Sequence, residues 1–388
     1  MEILLSGVTF GDLEIDEVID SLRSGQVTMG AKCRAFEAAF AAYSSARHAV
    51  FVNSGSSANL LAWFALANST WKLPFAPGFE VIVPAVAWST TIWPIVQAGG
   101  IPVLVDCDPS SLTINIAAVE TAISDKTAAV CPVHPLGNVC DMTALTALCE
   151  RHNLVLVEDT CEALGSRHDG TLAGRFGLMG TYSFYFSHHI TTVEGGMIVT
   201  DDDDLAALLR VLRSHGWSRE ELAATSIPFD QRYRFITTGF NVRPSDLNAA
   251  FGLHQLAKLD GFNTRRIEAT SSLLTQLKPL MDAGRLTPMR VDANVDAAFF
   301  GFPVMCRTPE ERDALAEYLE ANGIETRPII CGNMARQPAM NHVPHRVSGN
   351  LEGADAVMDR GLYWGVHPNF TDVETDYITK VLGDFAWQ

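Results

Sequence analysis

Seven short apolar runs between residues 48 and 201 constrain this chain more than any other feature. They are HAVFV (48–52), EVIVP (80–84), PVLVD (102–106), AAVCPV (128–133), NLVLVED (153–159), GTYSFYF (180–186) and GMIVTD (196–201). Each is apolar at nearly every position, where a half-buried strand would alternate. A strand apolar on both faces belongs inside a mostly parallel sheet covered by helices. Most runs are followed by Gly, Pro, Asp or Asn and then by helical spacing, as in SSANLLAWFALAN (56–68). That alternation predicts an α/β architecture.

Past residue 200 the pattern changes. A DDDD run (201–204) leads to the helix-like ALLRVLRSHGW (207–217), and helical spacing returns over 248–282. Short strands (AAFFGFPVM, 297–305; IETRPII, 324–330) then mix with a helix, PEERDALAEYLEANG (309–323). The reading is a large domain over 1–247, with its N-terminal segment, and a smaller α+β domain over 248–388.

Charge narrows the function classes. A net charge of −17 argues against nucleic-acid or anionic-membrane partners, which want a basic face. An anionic small substrate stays open, because a local basic patch can oppose the global sign. MEILLSGVTFGDLEIDE has no basic region ahead of an apolar core, so no secretion signal is read there. The eight cysteines show no CxxC spacing and read as reduced thiols of a cytoplasmic protein.

Three segments carry chemistry. VNSGSSANLL (52–61) takes a strand through a Gly/Ser turn into a helix start, where backbone N–H groups and the dipole face an anion. An ordinary capped helix would look the same. LVLVEDTCEALG (154–165) sets Asp159 at the carboxyl end of a buried strand, the edge where open α/β sheets bind ligands. A carboxylate there either keeps a pyridine nitrogen protonated or caps a following helix. The third is GTYSFYFSHHITTVEGGMIVTDD (180–202): a strand, a polar turn, then EGG leading into another strand. His188 and His189 make a poor metal pair, since neighbours on an extended chain point to opposite faces.

On this third segment the chain resembles the sugar aminotransferase family (DegT/DnrJ/EryC/StrS type) of fold-type-I pyridoxal-phosphate enzymes, whose pattern is S-F-x-x-x-K-x-x-T-T-x-E-G-G. Counting back from Thr191, Thr192, Glu194, Gly195 and Gly196 puts the family's lysine at position 188, where this chain has His188. The lysines stand at 32, 72, 126, 258, 278 and 380, so none of this segment can substitute. A lysine would bond covalently to the cofactor. An imidazole cannot, yet it is a good acid and base near neutral pH. The other reading of His188 is a drifted residue in an inactive paralogue. The resemblance implies an aspartate-aminotransferase-like fold with a mostly parallel seven-stranded sheet in the large domain.

Relatives with histidine at this position narrow the expectation to dehydration at C3 of a nucleotide-linked 4-keto-6-deoxyhexose, of the GDP-mannose series. VTMG, VPAVAWSTT, FGLMGTYS, NVRP, RPIICGN and Glu162 all match that subgroup. The implied cofactor is pyridoxamine or pyridoxal phosphate, held non-covalently, with L-glutamate as amino donor. The implied setting is deoxysugar (colitose) biosynthesis for lipopolysaccharide O-antigen. A related dehydrase of a CDP-sugar uses an iron–sulfur cluster. No cysteine lies between 161 and 306 here, so no such cluster is expected. Carried over position by position, Gly55, Ser56 and Ser183 would hold the cofactor phosphate, and Asn241 would reach it from a partner subunit of a homodimer. Trp88 would stack on the ring, or else sit in the core. Asp159, Glu162 and Ser187 complete the cofactor site, with His188 catalytic. Arg219 and Arg243 lie in a stretch (210–243) with six arginines against three acids, suited to a sugar-nucleotide diphosphate or simply to solvent. A sugar C4 aminotransferase and a catalytically silent binding or regulatory protein are the alternatives.

Overall fold

A computed structural model describes residues 1–218, 229 and 233–387. The seven apolar runs form strands: β1 (His48–Val52), β2 (Glu80–Pro84), β3 (Ile101–Val105), β4 (Thr127–Val130) and β5 (Val155–Asp159) come first. A short hairpin, β6 (Arg167–His168) and β7 (Thr171–Leu172), precedes β8 (Met179–Ser183) and β9 (Gly196–Thr200). In the second half lie β10 (Thr287–Pro288), β11 (Val295–Asp296), β12 (Gly301–Met305), β13 (Thr326–Arg327), β14 (Arg346–Val347) and β15 (Gly361–Gly365).

Among the described residues the main sheet has eight strands in the order β1-β9-β8-β5-β4-β2-β3-β14. Only β9 runs against its neighbours. The eighth strand was not expected: Arg346 and Val347 of the C-terminal part pair in parallel with Val103 and Leu104. GTYSFYF is strand only as far as Ser183: the Phe184 N–H still meets the Gly195 carbonyl, but its own carbonyl accepts from the Thr192 N–H and the chain leaves the ladder. Every residue of β2, β8 and β9 is buried, as unbroken apolar runs require.

Helix starts follow local chemistry. Ser54 caps Gly55–Ala67 by accepting the Ser57 N–H. The DDDD run is a cap plus a dipole complement: Asp202 accepts from Leu205 N–H, Asp203 and Asp204 fill the first turn, and Arg210 and Arg213 the last. That helix therefore begins at Asp203, four residues before the apolar spacing suggested. Ser245 caps the long helix Asp246–Gln276, which breaks at Leu277 before a short helix, Lys278–Asp282. The expected boundary at 247/248 falls inside the first turn of this long helix.

A second sheet, β10-β12-β15-β13, builds its own core around Phe302 and Trp364, whose rings stack 5.0 Å apart. Ile3 joins that core and bridges to Ile324. Residues from the C-terminal part, including Ile329, Met334 and Leu351, pack into the core of the main sheet. No helix among the described residues is long and apolar enough to cross a membrane.

Candidate active site

The strand directions put one set of chain ends together. β1, β2, β5 and β8 all point the same way, so the segments leaving their carboxyl ends share one edge of the sheet. Asn53–Ser56 come after β1, Trp88–Thr91 after β2, Asp159–Glu162 close β5, and the turn to His188 leaves β8. A cavity of about 410 Å³ opens there. It is lined by Gly55, Ser56, Trp88, Asp159, Glu162, Ser183, Ser187 and His188. The sequence had singled out all eight.

Asp159 is 5% exposed and held from three directions. Its Oδ2 accepts from Asn59 Nδ2 at 2.9 Å and Thr91 Oγ1 at 2.7 Å, and its Oδ1 from Cys161 N–H at 3.2 Å. Asn59 is aimed in turn by Thr181 Oγ1, 2.6 Å from its Oδ1. Residues 160–166 form turns, so Asp159 does not cap a helix. Asn59 and Thr91 escaped the sequence reading. The signal for Asn59 was a lone amide in an apolar helix.

At the helix start, Ser54 satisfies the Ser57 N–H, leaving Gly55 and Ser56 N–H at the first turn. A Cβ on Gly55 would stand 2.5 Å from Ser183 Cβ, so only glycine lets the helix tip reach β8. Trp88 is 56% exposed and lines the cavity, which removes the core reading of that ring.

His188 is half-buried, its ring centroid 5.2 Å from that of Phe300. Nδ1 is buried with no hydrogen-bond partner among the described residues. Its neighbour differs: His189 is fully buried and its Nε2 donates to the Ala298 carbonyl at 2.7 Å. Burial holds the His188 imidazole down at about 4; Asp159 opposes this and Arg266 adds to it. His188 is therefore neutral at pH 7. Glu162 moves the other way, pushed up to about 7 by burial, with the Leu136 N–H opposing and Asp159 adding. That N–H lies 3.0 Å from Glu162 Oε2, and Leu136 holds a left-handed φ of 48°.

Phe300, Ile330 and Tyr363 close the cavity from the C-terminal part, and sequence reasoning found none of them. Among the described residues no lysine lines it. Lys32, Lys72, Lys258, Lys278 and Lys380 are in ion pairs elsewhere. Asn241 and Arg243 lie outside the cavity, in a concavity of about 1110 Å³ with Arg34, Arg47 and Arg210. Arg219 is outside the described residues. No group of three or more His, Cys, Asp or Glu is arranged to hold a metal among the described residues.

A doubly covered parallel sheet, a helix tip beside a serine, and a buried aspartate at the strand ends define a fold-type-I cofactor-binding framework. The chain belongs to the DegT/DnrJ/EryC1/StrS aminotransferase family, which it matches over residues 9–383. It is similar to the GDP-4-keto-6-deoxy-D-mannose 3-dehydratase of Yersinia pseudotuberculosis, 36% identical over 373 residues, covering 94% of this chain and 93% of that protein. Two solved structures share the fold. One is a histidine-to-asparagine mutant of GDP-4-keto-6-deoxymannose-3-dehydratase with bound GDP-perosamine (TM-score 0.92, 34% identity, 98% of this chain and 100% of that one). The other is the same enzyme with a trapped PLP-glutamate geminal diamine (TM-score 0.91, 34% identity, the same coverage).

Proposed function

We propose that this protein removes the C3 hydroxyl of GDP-4-keto-6-deoxymannose, using pyridoxamine phosphate and glutamate. The observation that carries the reading is His188 in a cavity lined by no lysine among the described residues. The donors fit the cofactor. An aspartate held by two side chains suits a protonated ring nitrogen, a helix tip with Ser56 and Ser183 suits a phosphate, and the orphaned His188 Nδ1 suits a missing neighbour. When bound, that cofactor supplies an amino group for the sugar ketone and a ring that stores an electron pair.

The chain's own residues do the rest. Asp159, held in place by Asn59 and Thr91, would face the ring nitrogen. His188, neutral at pH 7, accepts a proton and returns it to the departing hydroxyl, so one group serves both steps. Trp88 would cover the ring face, while Glu162 and Ser187 would border the reacting end. In the overall balance the sugar loses one oxygen while glutamate is oxidised to 2-oxoglutarate and ammonia leaves.

Without a covalent tether, retention of the cofactor depends on non-covalent contacts alone. The Asn241 concavity supports a homodimer in which Asn241 reaches the partner's phosphate site, with Arg243 and Arg219 available to the diphosphate. Residues 1–247 form the cavity floor, and 248–388 close it. The acidic net charge and the scattered thiols support a cytoplasmic enzyme with no nucleic-acid partner.

The test is mass spectrometry of the product after incubation with pyridoxamine phosphate, glutamate and GDP-4-keto-6-deoxymannose. A product one oxygen lighter is expected. An amino sugar retaining its C3 oxygen would replace this reading with C4 transamination, and no turnover would leave a binding protein.

A further inference from the structure

Arg266 lies in the middle of the long helix, 2% exposed. Among the described residues it donates hydrogen bonds only to backbone carbonyls. Nη1 donates to Phe299 at 3.2 Å, to Phe300 at 3.3 Å and to Val366. Burying a charge against dipoles alone is costly, and an apolar side chain would fill the same space more cheaply. Such a cation calls for a use.

Its three partners lead to the cavity. The Phe300 ring packs on His188, and its N–H donates to the Leu136 carbonyl at 3.0 Å. Leu136 is the residue whose own N–H meets Glu162. Just ahead of Phe299 in the strap, the Ala298 carbonyl receives His189. Gly137 passes so close beneath that a Cβ there would stand 2.2 Å from the Ala298 oxygen. Val366 directly follows β15, the strand that brings Tyr363 to the cavity.

We propose that Arg266 is a positioning residue for the reaction: it clamps the 298–300 strap to the end of β15 and through that strap fixes the His188 ring. The proposal rests on the reading of His188 as the acid–base group. The guanidinium also works at a distance, because a buried cation disfavours a second positive charge on the imidazole. The other titratable groups facing His188 are the carboxyls of Asp159, Glu162 and Glu194 and the Cys161 thiol. The Tyr185 and Tyr363 phenols complete the ring, with His189 next along the chain.

The test compares Arg266→Met, Arg266→Lys and Phe300→Leu, read two ways. Histidine ring signals of the labelled, cofactor-free protein give the His188 titration midpoint, and steady-state kinetics of the loaded enzyme separate kcat from KM. In Arg266→Met the midpoint rises by about one pH unit and kcat falls about tenfold, with KM changed less than about twofold. Arg266→Lys, which keeps the charge, recovers kcat to within about threefold and the midpoint to near wild type. A folded Arg266→Met with wild-type midpoint and kcat overturns the proposal. Should that variant not fold, Phe300→Leu decides: a kcat loss of about fivefold or more with altered His188 signals supports the strap, and unchanged values overturn it. The midpoint is read without cofactor or sugar, so it judges Arg266 even if the dehydration reading fails.

Discussion

Around His188 the cavity is small, and its Asp159 and Glu162 carboxyls are individually held. Around Asn241 a concavity more than twice as large gathers five arginines, of which Arg34, Arg47 and Arg243 are exposed. The first needs nothing further to orient a planar ring, since Asp159 already takes three hydrogen bonds. The second is cationic, on a chain whose net charge is −17. Its Asn241 Oδ1 accepts from Arg243 Nε, 3.1 Å away. On the dimer reading proposed above, chemistry takes place in one site and retention would be completed in the other, by a second copy.

The largest effect expected is from His188→Lys. Dehydration should fall by at least about 10³-fold, and borohydride treatment should fix cofactor to the protein, raising its mass. A variant that still releases the deoxygenated sugar would break the comparison at its His188 end. Next, Asp159→Asn should lower kcat by about 10²-fold with little change in KM, measured by steady-state turnover.

The Asn241 end is tested by Asn241→Ala. Cofactor should bind about tenfold more weakly, measured by fluorescence titration. If Asn241 acts across subunits, mixing this variant with His188→Asn should restore activity, because one hybrid site then has both residues intact. Failure to regain activity would confine Asn241 to its own chain.

The smallest effect concerns pH. Glu162 is raised from 4.5 to about 7, so its contribution to stability is present below 4.5 and lost as pH rises to 7. His188 is lowered from 6.5 to about 4, so its contribution is present above 6.5 and lost as pH falls to 4. Between 4.5 and 6.5 the folded protein carries a proton on Glu162 and the unfolded chain one on His188, and the two slopes cancel. In Glu162→Gln the His188 slope stands alone. Relative to wild type, stability from urea unfolding should then fall on acidification, by at most about 1.4 kcal/mol per pH unit.

The sheet and the cavity floor were legible because their residues are local in sequence. An unbroken apolar run marks a buried strand, and the polar residues just beyond mark its carboxyl end. Gly55, Asp159, Ser183 and His188 all sit in such places. The missed residues are non-local. Phe300, Ile330 and Tyr363 look like any apolar residue until the second sheet folds over the first. Arg266 sits in an amphipathic helix where an arginine is ordinarily solvated. The two-residue strand β14 carries no periodicity at all, and the helix after the DDDD run was misplaced because a cap leaves no apolar signal.

β14 bears on how the chain assembles. Until residue 347 has emerged from the ribosome, β3 has a bare flank along Val103 and Leu104, with the Arg346 guanidinium not yet in place on Glu80. A flank of that kind pairs readily with stray strands. Nascent chains stalled short of this point should need chaperone shielding, and those past it should not.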